Sequence, residues 1–205
     1  MLGMTRSEIQ YAAMFSQVAS ITLRLLLFRA GPQDFPYAPQ LAPWMPVAGV
    51  AAFFLVFRTF LPFGESLLIG VLVVGCIGFI THLILNARRM LNRFQQTYHS
   101  LLATIGVLMI GTLPAMVAAA PALQQIVQKP ELLEQPGAVQ VPPLAALAMN
   151  ALHLWTLAVS AHIYRHALDT RLWAGALITL LSSFSVLFFT VVLAEMFIPM
   201  LRLAP

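Results

Sequence analysis

The sequence predicts an all-α membrane protein: a bundle of about five transmembrane helices preceded by an amphipathic N-terminal helix lying in the membrane plane. Three observations carry this. Of 205 residues, 60% are hydrophobic and 9% charged, against about 25% charged in a soluble domain. The apolar residues fall into runs near the ~20 residues that a crossing helix needs. The arginines cluster between those runs, where membrane topology places positive charge.

Composition excludes several classes at once. So much apolar surface could not be hidden in a soluble fold of this size. The net charge of +4 is a topology signal rather than a nucleic-acid footprint, so no nucleic acid is expected as a partner. Cys76 is the single cysteine, which rules out an internal disulfide framework. The first thirty residues hold Arg6, Arg24 and Arg29 with Gln10, Gln17 and Ser20. They lack a clean apolar core with a cleavage site, so the N-terminus reads as mature.

The elements follow in order. In residues 1–30, Arg6, Gln10, Gln17, Ser20 and Arg24 recur at helical spacing, while Ile9, Met14, Phe15, Val18, Ile21 and Leu25 fall elsewhere. That is the pattern of a helix in the membrane surface; a first span with a polar stripe is the alternative. Residues 31–46 hold five prolines and form a connector. The bundle occupies 43–201, with spans at about 43–63, 67–86, 101–120, 144–163 and 173–197. The first of these contains Arg58, which must sit near an interface. Pro114 lies inside the third and could kink it for gating. The connector 121–143 is rich in proline but apolar enough for a short interfacial helix.

Orientation follows from the loops. Five spans put Arg6, Arg24, Arg29, Arg88, Arg89, Arg93, Arg165 and Arg171 on one side and Arg58, Lys129 and Arg202 on the other. Eight against three makes the first side cytoplasmic, with the N-terminus inside and the C-terminus outside.

Three sets of residues could carry function. Asn150, His153 and Ser160 share one face of the fourth span, with Thr179, Ser182, Ser183 and Ser185 on the fifth. They read as a polar path for a small solute, or as hydrogen bonds that hold the helices together; no Asp, Glu or Lys at mid-depth supports a proton relay. His162 and His166 lie four apart on one helical face, and His82 sits late in the second span. Such imidazoles could ligate a metal or a haem, or bond to headgroups and loop carbonyls. Arg88, Arg89, Arg93, Arg165 and Arg171 could bind anionic lipid headgroups or an acidic partner. No phosphate loop, nucleophile elbow or zinc-protease motif is present.

The run Arg93-Phe94-Gln95-Gln96-Thr97-Tyr98 leading into 101–106 resembles the entry to the third span of the Yip family. These are five-span membrane proteins that in eukaryotes interact with Rab GTPases. The run from Leu154-Trp155-Thr156 through Tyr164-Arg165-His166 to Trp173-Ala174-Gly175 is similar to its bacterial branch. The likeness covers roughly residues 40–200 and omits the long soluble N-terminal region of the eukaryotic members. It implies a non-enzymatic, membrane-organising role in a bacterial inner membrane, and it transfers no catalytic residue.

The expected function is therefore a non-catalytic scaffold or accessory subunit without cofactor, which binds membrane lipids and other membrane protein subunits. A small-solute transporter or channel, and a haem- or metal-bearing subunit of a membrane complex, are the alternatives.

Overall fold

A computed structural model describes residues 6–129, 131–132 and 139–203, with the side chains of 12–40, 42–129, 131–132 and 139–200 among them. Six α-helices and three short 3-10 turns account for the regular structure, and no strand occurs among the described residues. The helices are α1 (Arg6–Leu26), α2 (Trp44–Phe57), α3 (Phe63–Ala87), α4 (Phe94–Gln128), α5 (Pro143–Ala167) and α6 (Leu172–Leu203). Four helices, α3 to α6, are long and apolar enough to cross a membrane. The chain is accordingly an integral membrane protein in its architecture.

Within the expected first span at 43–63, the helix covers Trp44–Phe57 only. Pro43 opens α2, and the helix stops after 14 residues, about 21 Å at 1.5 Å per residue. The chain then turns over 58–62, where the Arg58 guanidinium donates to the Leu61 carbonyl at 3.1 Å, and Pro62 caps α3. The other crossing helices overrun their expected limits. α4 continues through Pro114 and Pro121, and α6 starts at Leu172, only four residues after the Leu168 cap of α5. The expected interfacial helix within 121–143 lies partly outside the described residues; its first part, 121–128, belongs to α4.

Five helices close a ring. α2 packs against α3 and α4, α5 against α4 and α6, and α6 returns to α3. At the arginine-rich end the buried core holds Leu85, Leu101, Leu102, Val159, Ile163 and Leu168, and toward the other end Val56, Ser66 and Ala119 are buried where α2, α3 and α4 meet. Small residues let the helices approach closely, and on the other half of the bundle a Cβ on Gly70 of α3 would lie 3.1 Å from the Val50 carbonyl of α2. At the arginine-rich end a Cβ on Gly175 of α6 would lie 2.5 Å from the Ala161 carbonyl of α5, so these backbones cross in direct contact. At the same end the Tyr98 ring of α4 rests 3.2 Å from where a Gly78 Cβ would sit on α3, and its hydroxyl donates to the Val74 carbonyl at 3.1 Å.

The connector at 27–43 covers the arginine-rich end, with Phe35 1% exposed. Irregular backbone at this depth is tolerated only when buried in protein with its polar groups satisfied. Side chains of α4 and α5 satisfy them. The Trp155 indole N–H donates to the Leu26 carbonyl at 3.2 Å. The Gln96 amide donates to Phe35 at 3.0 Å and to Gln33 at 3.2 Å. His162 Nε2 bonds the Ala30 carbonyl at 2.9 Å.

α1 turns a stripe of Met14, Val18, Ile21 and Leu25 toward the bundle, at spacings of four, three and four. Gln17, Ser20 and Arg24 of its polar stripe are exposed, and so are Phe15, Leu23 and Leu27. The side chains of Arg6 and Gln10 lie outside the described set.

Candidate functional site: a cavity inside the helix ring

The five helices of the ring surround a space that reaches from Tyr164 near the arginine-rich end to Leu61 and Ala194 near the other. It is a partly open cavity of about 710 Å³, within the ~300–1,000 Å³ usual for small-molecule pockets. Each crossing helix lines it with one stripe at helical spacing. α3 contributes Ile69, Val73 and Ile77, and α4 contributes Leu101, Ile105, Met109, Thr112 and Met116. α5 contributes Met149, His153, Thr156, Ser160 and Tyr164. From α6 come Thr179, Ser183, Leu187, Thr190 and Ala194, and α2 adds Phe53 and Phe57. From Leu101 to Met116 the wall runs about 22 Å at 1.5 Å per residue.

The floor is a hydrogen bond between helices. The Tyr164 hydroxyl lies 2.9 Å from Thr81 Oγ1, and Thr81 is wholly buried. Above it the wall is apolar with interleaved hydroxyls. The contact of Gly175 with Ala161 and Arg165 sets the register of the antiparallel α5–α6 pair. Counting along both helices puts Thr179 level with Ser160, and Ser183 level with Thr156. Thr112 and Thr156 spend their protons inside their own helices, on the Met109 and Leu152 carbonyls at 2.6 and 2.8 Å. Their oxygens retain lone pairs for another donor. Thr179 and Thr190 are buried, and their hydroxyls have no hydrogen-bond partner. Among the described lining residues none is Asp, Glu, Lys or Arg.

The structure thus brings His153 and Ser160 onto one cavity with Thr179, Ser182 and Ser183. It does not place Asn150 there; that side chain is exposed and off the lining. Tyr164, Thr112 and the methionines at 109, 116 and 149 were not legible as a site. Methionine's flexible thioether suits a wall that must fit an irregular occupant, but only the folded register gathers these three.

The histidines are distributed differently. The His162 and His166 rings lie 4.5 Å apart, edge to face. Phe28 also packs on His162, at 5.4 Å, while His162 Nε2 is engaged by Ala30. His82 is exposed and packs edge-on against Phe94 at 5.5 Å. No group of three or more His, Cys, Asp or Glu placed to hold a metal occurs among the described residues.

The arginines form a rim at the closed end. Arg93 makes an ion pair with Asp169 at 2.8 Å and donates to the Ala167 carbonyl at 3.0 Å, closing the last turn of α5. A second, polar pocket of about 430 Å³ lies beside this pair, walled by Gln33, Asn92, Gln96 and His166. Arg88, Arg89 and Arg171 are exposed, and Arg165 is half-buried.

Comparison with family models, with curated proteins and with solved structures returned no match.

Proposed function

We propose that this is a non-catalytic polytopic membrane protein that holds an amphiphilic membrane molecule in its central cavity and serves as an organising or accessory subunit. The observation that carries this reading is the cavity: large, mostly apolar, at membrane depth, and lined by one stripe from each of the four crossing helices. An apolar void of this size loses dispersion contacts along its walls unless something fills it. Among its described lining residues none is Asp, Glu, Lys or Arg, so they offer no pair of such groups for proton transfer or hydrolysis. The exposed arginines supply a rim for anionic headgroups or an acidic partner, with the arginine-rich end cytoplasmic.

Mass spectrometry of the full chain released from mild detergent tests the reading. A bound amphiphile is expected, and a Thr156→Phe, Ser183→Phe variant that fills the cavity should lose it. A protein that carries nothing before or after the filling overturns the reading. For orientation, Arg88→Cys should react with an impermeant maleimide only in permeabilised cells, and Lys129→Cys in intact cells. Cys76 is buried and should stay silent.

A second reading, permeation of a small neutral solute, is favoured by the run of hydroxyls from Thr179 to Thr190 on α6. Proteoliposomes with the Tyr164→Ala floor variant separate the two. Uptake of a neutral solute by both proteins supports permeation, and impermeability of both supports the binding reading.

A further inference from the structure

The polar pocket beside the Arg93–Asp169 pair differs in kind from the central cavity. Its volume, about 430 Å³, is within the range of small-molecule pockets. It lies where α4 begins and past the last turn of α5, at the level of headgroups rather than acyl chains. Its walls carry one charge of each sign, Arg93 and Asp169, with Gln33, Asn92, Gln96 and the His166 ring around them. Arg93 Nη1 meets Asp169 Oδ2 at 2.8 Å and donates to the Ala167 carbonyl at 3.0 Å. A guanidinium has five N–H donors and a carboxylate about four lone-pair sites, so both groups keep capacity for a ligand. Both side chains are also open to solvent.

Asp169 is the informative member. Its backbone φ is 49°, a conformation that glycine adopts freely and asparagine as readily as aspartate. It follows the C-terminal end of α5, where the helix dipole disfavours an anion. An ion pair this exposed adds less than ~1 kcal/mol to stability. The fold therefore gives little reason for a carboxylate at this position, and a pocket for a plain anion would be better without one.

We infer that this pocket binds a small zwitterion: one singly charged anionic group and one primary ammonium a few atoms apart, the chemistry of phosphoethanolamine. The anionic group lies against the Arg93 guanidinium, and the ammonium donates to the Asp169 carboxylate. Each member of the pair then gains an opposite charge. A phosphomonoester would bring a second negative charge against Asp169, and a choline head has no N–H to donate. A lipid headgroup and a free ester share this chemistry. The site is independent of what fills the central cavity.

Thermal unfolding of the detergent-purified full chain, titrated with four probes, is the test. The probes are glycerophosphoethanolamine, glycerophosphocholine, glycerol phosphate and dihexanoyl phosphatidylethanolamine. The two ethanolamine probes should stabilise at lower concentration than the other two. A tighter dihexanoyl probe assigns the lipid source, and equal affinities assign the free head. Asp169→Asn keeps a residue suited to positive φ and should fold. It should weaken both ethanolamine probes about fivefold, the worth of one hydrogen bond, and leave glycerol phosphate as tight or tighter. Glycerol phosphate or glycerophosphocholine matching glycerophosphoethanolamine on the unaltered chain would overturn the inference. So would undiminished ethanolamine binding in Asp169→Asn, or no stabilisation by any probe. A dihexanoyl probe that acts alone and ignores Asp169→Asn belongs in the central cavity; it would overturn this inference and leave the occupied cavity intact.

Discussion

Gly175→Ala is the sharpest perturbation the fold offers. The added Cβ would sit 2.5 Å from the Ala161 carbonyl oxygen, 3.0 Å from Arg165 Cβ and 3.1 Å from the Arg165 nitrogen. Carbon-to-oxygen contacts of this kind settle near ~3.3–3.6 Å, so α6 must move away from α5 by about 1 Å. Two of the three atoms belong to the α5 backbone, so no rotamer change relieves the clash. The displacement spreads along α6 to Thr179 and Ser182, which stand over the cavity floor beside Tyr164. Overpacking of a tight contact costs ~1–3 kcal/mol. At ~2–4 °C per kcal/mol for a chain of this size, the unfolding temperature should fall by roughly 2–12 °C. Gly75→Ala is the control. Its added Cβ meets nothing within 4 Å, and alanine is the better helix former by up to ~1 kcal/mol. That variant should unfold at the same temperature or slightly higher. Equal effects of the two substitutions, measured by thermal unfolding in detergent, would refute the claim that α5 and α6 meet at Gly175.

Three further outcomes follow from the same contacts. Tyr164→Phe keeps the ring but leaves the wholly buried Thr81 hydroxyl without its partner; it should cost ~1–2 kcal/mol in detergent unfolding, and no loss would show the floor bond to be idle. Gln96→Leu removes both amide bonds to the connector and should speed hydrogen exchange of residues 30–38 while global stability falls by only about 1–2 kcal/mol; unchanged exchange there would contradict the role given to Gln96. Asp169→Asn should be nearly neutral, below ~1 kcal/mol, because the Arg93–Asp169 side chains are 38% and 64% exposed, whereas Arg93→Met also frees the Ala167 carbonyl and should cost more; the reverse order would be inconsistent with this geometry.

Helix ends show where the sequence was silent. α1, α3 and α5 all stop at a non-glycine residue with positive φ: Phe28 at 59°, Arg89 at 56° and Asp169 at 49°. Each is followed by a backbone bond five residues back, from Arg29 to Arg24, Met90 to Leu85 and Thr170 to Arg165. This closure usually announces itself with a glycine. Without that signal the ends of the helices could not be placed from residue types. The missing length of α2 has a similar origin. The run 43–63 is apolar except for Arg58 and Thr59, so hydropathy alone reads it as one span, and only the turn at 58–62 ends its helix early.

What the sequence determined by itself was the medium and the periodicity. Apolar content, run length and arginine placement are additive properties of residues, and they suffice to specify α-helices of crossing length. Helical spacing likewise put His153 and Ser160 on one face before any packing was known. What the tertiary structure alone decided was the gathering of faces. Gly175 lets α5 and α6 cross in direct contact at the arginine-rich end, and Gly70 lets α2 approach α3 toward the other, so the faces that line the cavity are set by these pairings. Which hydroxyls share it depends on the register of α5 against α6, and so do the exclusion of Asn150 and the burial of Thr179 and Thr190. Register is a relation between segments distant in sequence, set by side-chain packing that no single helix contains.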